Sequence, residues 1–141
     1  MNKIIIINGP NLDQLGKRET KIYGDKTLLE VEQECVRFFK KDNLELVFFQ
    51  SNSESEIIDK IHDSKKFDGL IINAGAFTHT SIAIHDALKI ISIPKIEVHI
   101  SNIFNREEFR KNSFISPVVD GIIAGFGTNV YQIAIYSLKN L

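Results

Sequence analysis

The sequence predicts an α/β protein built on one five-stranded parallel sheet, and three observations lead there. Five short, largely β-branched runs recur along the chain, at Ile4–Ile7, Leu44–Phe49, Gly69–Ile72, Ile96–Ile100 and Gly121–Ala124. Amphipathic stretches of helical period separate them. Several of the runs are apolar at consecutive rather than alternate positions, as parallel strands covered by helices on both faces must be. Five such units in 141 residues suit a doubly wound, flavodoxin-like sheet of strand order 2-1-3-4-5. At about 100–200 residues per domain, residues 1–141 make a single α/β domain.

Each element has its own signal. Ile4–Ile7 is closed by Asn8-Gly9-Pro10. Thr27 to Lys41 has helical periodicity, with Thr27 as N-cap and Glu30 as its capping-box partner. Leu28, Val31, Cys35 and Phe38 form its apolar stripe, which makes the only cysteine a core thiol. Ser53–Ser64 reads as a helix opened by Ser53 or Ser55, with Ile57, Ile58 and Ile61 facing inward. Thr78 or Thr80 opens the next helix, which runs to about Ile91. Asn105–Lys111 reads as a short helix and Asn129–Leu138 as the closing one. The stretch Gly9–Gly24, about sixteen residues without clear period, is long for a β/α connection, which usually takes about 2–6. A loop of that length with polar content is a functional candidate.

Composition excludes several classes. Lys+Arg 17 against Asp+Glu 18 gives a net charge of −1, which leaves no excess of positive charge for a nucleic-acid partner. A hydrophobic fraction of 43% with ten phenylalanines rules out a disordered scaffold. One cysteine makes no internal disulfide and no zinc site by itself. The apolar run near the N-terminus has four residues, short of the roughly 7–15 of a secretory signal core and the roughly 20 of a membrane span. The expectation is a soluble, cytoplasmic protein with no membrane or nucleic-acid partner.

The unusual residues collect where an open α/β sheet binds its ligands, beyond the carboxyl ends of the strands. After the first strand come Asn8, Asn11, Arg18 and Tyr23; after the third, in NAGAFTHTS, come Asn73, His79 and Ser81. The fourth carries IEVHIS, followed by Arg106 and Arg110. Period-two alternation puts Ile96, Val98 and Ile100 on one face of IEVHIS and Glu97, His99 and Ser101 on the other. A solvated strand end accounts for that, and so does an oriented acid/base in which Glu97 fixes the tautomer of His99. The hydroxyls of NAGAFTHTS serve equally as helix caps or as an anion-binding turn. His79 and Asp86 stand seven apart and so share a helix face, while His85 points elsewhere. Arg106 and Arg110 share a face too, and Glu107 and Glu108 give them surface ion-pair partners. Tyr23 beside Gly24 reads as a packing anchor or as a base.

Taken together these stretches resemble the type II 3-dehydroquinate dehydratases of the shikimate pathway. The matching blocks are NGPNL…LG.RE…YG at Asn8–Gly24, N.GA.THTS at Asn73–Ser81, IEVHISN at Ile96–Asn102, REEFR at Arg106–Arg110, and SPV…G.I.GFG at Ser116–Gly127. The resemblance implies loss of water from 3-dehydroquinate to give 3-dehydroshikimate, by anti elimination through an enolate, with no metal and no organic cofactor. It makes Tyr23 the proton acceptor, His99 the proton donor and Arg18 the stabiliser of the transition state. It makes Glu97 the carboxylate that orients the histidine, and Asn11 a partner of the enolate. Asn73, His79, Asp86, Arg110 and the Ile100–Ser101 backbone match the substrate-binding set. It also implies a homododecamer built from trimers, with Asp86 of one subunit reaching the site of its neighbour.

These residue types suit the chemistry. Removing a proton beside a ketone needs a base and a stabiliser of enolate charge, and expelling hydroxide needs an acid. A free tyrosine has a pKa near 10, so half ionisation at pH 7 takes about 4 kcal/mol. One guanidinium about 4 Å away supplies about that much at an effective dielectric near 20, and only about 1 kcal/mol in bulk water. A pairing of Arg18 with Tyr23 therefore requires the loop to shut out solvent. Gly9–Gly24 accordingly reads as a mobile lid, with Gly16 and Gly24 as hinges.

The chain departs from the family pattern at Asp13-Gln14 and Thr20 in the lid, and at Ser53, Ser55, His85 and Phe104. None of these is an acid or base position. A flavin- or phosphate-binding protein of this fold would want a Ser/Thr-rich loop where Gly9-Pro10-Asn11-Leu12 stands, and Pro10 lacks an amide donor. A receiver-type switch would want carboxylates where Asn8 and Asn73 stand.

Overall fold

The computed structural model describes residues 1–141. Five strands, β1 (Lys3–Asn8), β2 (Glu45–Gln50), β3 (Gly69–Asn73), β4 (Lys95–His99) and β5 (Gly121–Ala124), form one sheet. Its order is β2-β1-β3-β4-β5 and every pairing is parallel. This is the expected architecture. Five helices accompany it: the single turn α1 (Thr20–Tyr23), then α2 (Leu28–Phe38), α3 (Glu54–Asp63), α4 (Ile82–Ile90) and α5 (Asn129–Leu138).

The consecutive isoleucines divide between two cores. Ile4, Ile6, Ile71, Ile96 and Val98 face α2 and α5, meeting Val31, Cys35, Tyr131, Ala134 and Ile135. Ile5, Ile7, Leu70 and Ile72 face α3 and α4, meeting Ile57, Ile61, Ile84 and Leu88. Fully burying each such side chain is worth about 1.5–3 kcal/mol. Asn8 lies level with Gln50 and Asn73, and His99 level with Ala124. The polar ends of β1, β3 and β4 thus finish at one edge of the sheet, and their loops meet there. Gly9 allows that meeting: its N–H donates to Asn73 O at 2.7 Å, and a Cβ there would come within 2.3 Å of Ala74 O.

Four local expectations need correction. The apolar stripe of α2 ends on Phe39, 3% exposed, and not on Phe38, which is 64% exposed. The helix stops at Phe38, and the chain turns there so that Phe39 enters the core with the Phe38 ring edge-on against it. Ser81, rather than Thr78 or Thr80, caps α4 by accepting the Ile84 N–H at 2.9 Å. The residues before it, Gly75–His79, form a 3-10 turn. Asn105–Lys111 is no helix but two 3-10 turns, Ile103–Asn105 and Glu108–Lys111, separated by an extended Arg106. Finally, the long loop after β1 is less irregular than its sequence. It holds the 3-10 turn Leu12–Gln14 and helix α1, and Leu12 and Leu15 pin it to the core. Thr27 and Glu30 form the expected capping box of α2, and Ser53 caps α3.

Candidate active site

The loops after β1, β3 and β4 enclose a cavity lined by Asn11, Arg18 and Tyr23 from the first, and Asn73, Gly75 and His79 from the second. His99, Ile100, Ser101, Arg106 and Arg110 line the rest, with Pro10, Leu12, Ala76 and Ile103 between them. Three guanidinium groups face the cavity and no carboxylate does. Such a lining suits a small polar anion.

Tyr23 is half-buried at the end of α1, and Gly24 behind it adopts φ 84°, a left-handed conformation that ends the helical turn. Arg106 Nη1 donates to the phenolic oxygen at 2.8 Å and to Ser101 Oγ at 3.1 Å. Arg18 lies over the same ring, its guanidinium carbon 4.9 Å from the centroid, and pairs with Glu19 at 3.2 Å. The phenol thus stands between two cations, of which the sequence analysis assigned only Arg18. Glu107 beside Arg106 makes a surface ion pair as good a reading of the sequence as a site residue. That pair exists, at 3.7 Å, but the Arg106 side chain is 10% exposed and turned into the cavity.

Across the cavity His99 is buried, and its Nε2 donates to Glu97 Oε2 at 2.7 Å. A carboxylate accepts from that nitrogen, so the other nitrogen, Nδ1, is left for the cavity. Glu97 also accepts from the Ser113 hydroxyl at 2.8 Å and from Ser116. Burial pushes the pKa of Glu97 up, but the donors His99, Ser116 and Ser113 outweigh it and hold the carboxyl below its usual range. The alternation of IEVHIS is therefore an oriented pair and not a solvated strand end.

His79 sits 6.5 Å from His99, ring to ring and nearly parallel, and donates from Nδ1 to Asn112 O at 2.7 Å. Burial lowers its pKa, and although the Asn112 carbonyl works against that, His99 and Arg110 add to it. Asn73 donates through Nδ2 to the Tyr131 hydroxyl at 3.0 Å, and its Oδ1 accepts from the Gly75 N–H at 3.3 Å. Tyr131, fully buried, donates in turn to Asn8 Oδ1 at 2.5 Å. Asn11 holds a left-handed conformation, φ 69°, with its N–H on Asn52 Oδ1 at 3.0 Å. Arg110 pairs with Glu107 at 2.8 Å.

The structure therefore gathers Asn11, Arg18, Tyr23, Asn73, His79, His99, Ile100, Ser101 and Arg110 around one cavity, with Glu97 behind His99. It does not bring Asp86 there. Helical spacing linked Asp86 to His79, but His79 lies in the 3-10 turn before α4, so no helical face joins them. Asp86 is exposed on α4. Sequence reasoning placed Arg106 in the right cluster without giving it a role, and it missed Ser113, Ser116 and Tyr131. Only Arg106 and Ser116 lay within the quoted blocks, so only they carried a signal.

A doubly wound α/β sheet with an oriented histidine facing a cation-flanked tyrosine at its carboxyl edge defines a class of acid/base enzyme folds. Residues 2–139 match the family model described as Dehydroquinase class II, and the chain belongs to that family. It is 54% identical over 136 residues to the 3-dehydroquinate dehydratase of Prochlorococcus marinus, covering 96% of this chain and 92% of the relative. Identity is 53% to that of Caldicellulosiruptor saccharolyticus, over 100% of this chain and 99% of the relative. The crystal structure of a type II dehydroquinase from Butyrivibrio crossotus superposes with a TM-score of 0.96 at 48% identity, covering 98% of this chain and 97% of that one.

Proposed function

We propose that this protein is a lyase that removes water from 3-dehydroquinate to give 3-dehydroshikimate, a step of the shikimate pathway toward aromatic amino acids. The observation that carries the reading is the opposition of two polarised groups across one cavity: Tyr23 flanked by Arg106 and Arg18, and His99 held by Glu97. The Tyr23 phenolate takes the proton from the carbon beside the ketone, and the electron pair moves onto the carbonyl oxygen as an enolate. The Asn11 amide and nearby donors take up that charge. The enolate then collapses, the bond to the β-hydroxyl breaks, and His99 protonates the departing oxygen so that it leaves as water. A base and an acid on opposite walls act on opposite faces of the substrate, which gives anti elimination. Arg110, Asn73, His79 and the Ile100–Ser101 backbone hold the substrate carboxylate and hydroxyls.

Within the loop 9–24, the unanchored residues 17–24 act as a lid in this reading, carrying Arg18 and Tyr23 together over the substrate. The exposed Asp86 completes the cavity of a neighbouring subunit in a homododecamer built from trimers, working in the cytoplasm. No group of three or more His, Cys, Asp or Glu side chains is placed to hold a metal ion, and no helix is long and apolar enough to cross a membrane.

The assay follows the ultraviolet absorbance of the conjugated product. Purified, assembled protein is expected to generate it, and a flat trace overturns the reaction. Tyr23→Phe is expected to abolish turnover while leaving ligand affinity largely intact, since the base goes and the pocket stays. Substantial retained turnover removes Tyr23 as the base.

A further inference from the structure

The segment Asn112–Ser116 crosses behind the cavity and is bonded to both of its histidines, directly or through one residue. Asn112 O accepts from His79 Nδ1 at 2.7 Å, and the Phe114 N–H donates to Thr78 O at 2.8 Å. Phe114 O accepts from His85 Nδ1 at 2.6 Å. The same segment supplies both hydroxyls on Glu97. Ser113 Oγ accepts the backbone N–H groups of Ile115 and Ser116, each at 3.0 Å, and donates to Glu97 Oε2 at 2.8 Å. A serine hydroxyl has one proton and two lone pairs, and here all three are used. Its proton can point only at the carboxylate. The bond to the Ser116 N–H also sets where Ser116 begins, and the Ser116 hydroxyl reaches the other oxygen, Oε1.

Glu97 thus meets three donors, His99 Nε2 and two serines, while it is 1% exposed. Its neighbours in the sheet, Ile72 on β3 and Ile122 on β5, offer nothing polar. The charged and titratable groups near it are His99 directly, then His79 and Arg110 beyond that ring. A carboxylate in an apolar sheet stays ionised only while such donors face it.

We propose that Ser113 and Ser116 are positioning residues for the dehydration, which hold Glu97 as a fixed, ionised acceptor and so keep His99 Nε2 a donor and Nδ1 turned to the substrate. This rests on the reading of His99 as the acid. Without the two hydroxyls, the carboxylate takes up a proton at higher pH or swings with the imidazole. Either change costs the step in which water leaves, and neither touches the groups that bind the substrate.

The test is the kcat, KM and pH–rate profile of Ser116→Ala, Ser113→Ala and the conservative Ser116→Thr, each with a thermal melt. Loss of one hydrogen bond to the charged carboxylate is expected to lower kcat about ten- to hundred-fold. KM should change little, the acidic limb of the kcat profile should move to higher pH, and Ser116→Thr should recover most of the loss. Ser116→Ala leaves both N–H bonds to Ser113 in place, so it decides the matter even if Ser113→Ala does not fold. A folded Ser116→Ala protein with wild-type kcat and an unmoved acidic limb overturns the proposal while the reaction itself stands. A wild-type protein without dehydratase activity overturns both.

Discussion

Arg106 and Arg18 both flank the Tyr23 ring, but they sit in different surroundings. The Arg106 side chain is 10% exposed and donates to the phenolic oxygen; that of Arg18 is 42% exposed and shares its charge with Glu19. Water and salt screen an exposed cation strongly and a buried one weakly. In the proposed mechanism Arg106 is therefore the better placed of the two to support a Tyr23 phenolate, and Arg18 gains weight only when the loop excludes solvent. Arg106→Met is expected to lower kcat about 10²–10³-fold, the range for removing one preorganised donor, with Arg106→Lys recovering part of it. Steady-state kinetics on the folded variant checks this, and a wild-type kcat in Arg106→Met would remove the residue from the mechanism. Tyr23 and Arg18 stand five apart in the sequence and could be paired by reading it. Arg106 lies 83 residues from Tyr23, beside its own glutamates, and only the return of the β4 loop over α1 brings the two together. Tyr131 was hidden for a similar reason: as one apolar position of α5 it looks like core, and its hydroxyl finds Asn8 and Asn73 only once the sheet is built.

Among the elements, the strands were legible because burial on both faces leaves a run of isoleucines that little else explains, and because alternation in IEVHIS separates core from site. The turns were not. Gly75–His79 and Glu108–Lys111 wind as 3-10 segments, whose period of about three residues mimics a helix in so short a window. The loop from Gly9 to Gly24 falls between these cases. Its first half is anchored, since Leu12 and Leu15 are buried and a Cβ on Gly16 would press within 2.8 Å of Asp25 O. Gly16 is thus a packing glycine more than a hinge. Residues 17–22 are exposed, and Gly24 has open space around it. In the proposed lid, closure would therefore involve the segment from Lys17 to Gly24, moving about Gly24. Brief trypsin treatment, which cuts after Lys17, Arg18 and Lys21, is expected to nick this segment first and to slow when a saturating substrate-like inhibitor is present. Equal cleavage rates with and without that ligand would remove the lid.

For the whole molecule, the question is how a cavity with three guanidinium groups obtains a carboxylate partner. Asp86 is exposed on α4 and absent from the lining of its own cavity. Its helical neighbours on the same stripe are Ile82 and Ile90, which are 60% and 71% exposed. Two bare isoleucines bracketing a carboxylate four residues from each make a surface suited to burial against another subunit. In the trimer-based assembly proposed above, that burial would deliver Asp86 to the cavity next door. The arrangement has a consequence that a single-chain role does not share. Asp86→Ala should lower kcat/KM in the homo-oligomer, and Tyr23→Phe should abolish turnover by itself. When subunits of the two variants are unfolded together and refolded as a mixture, some cavities combine an intact Tyr23 with Asp86 from the other variant. Activity of the mixture should then exceed the sum of the two parents, and light scattering should report the same oligomeric mass for all three. A mixture no more active than its parents, at equal mass, would return Asp86 to its own chain or to the surface.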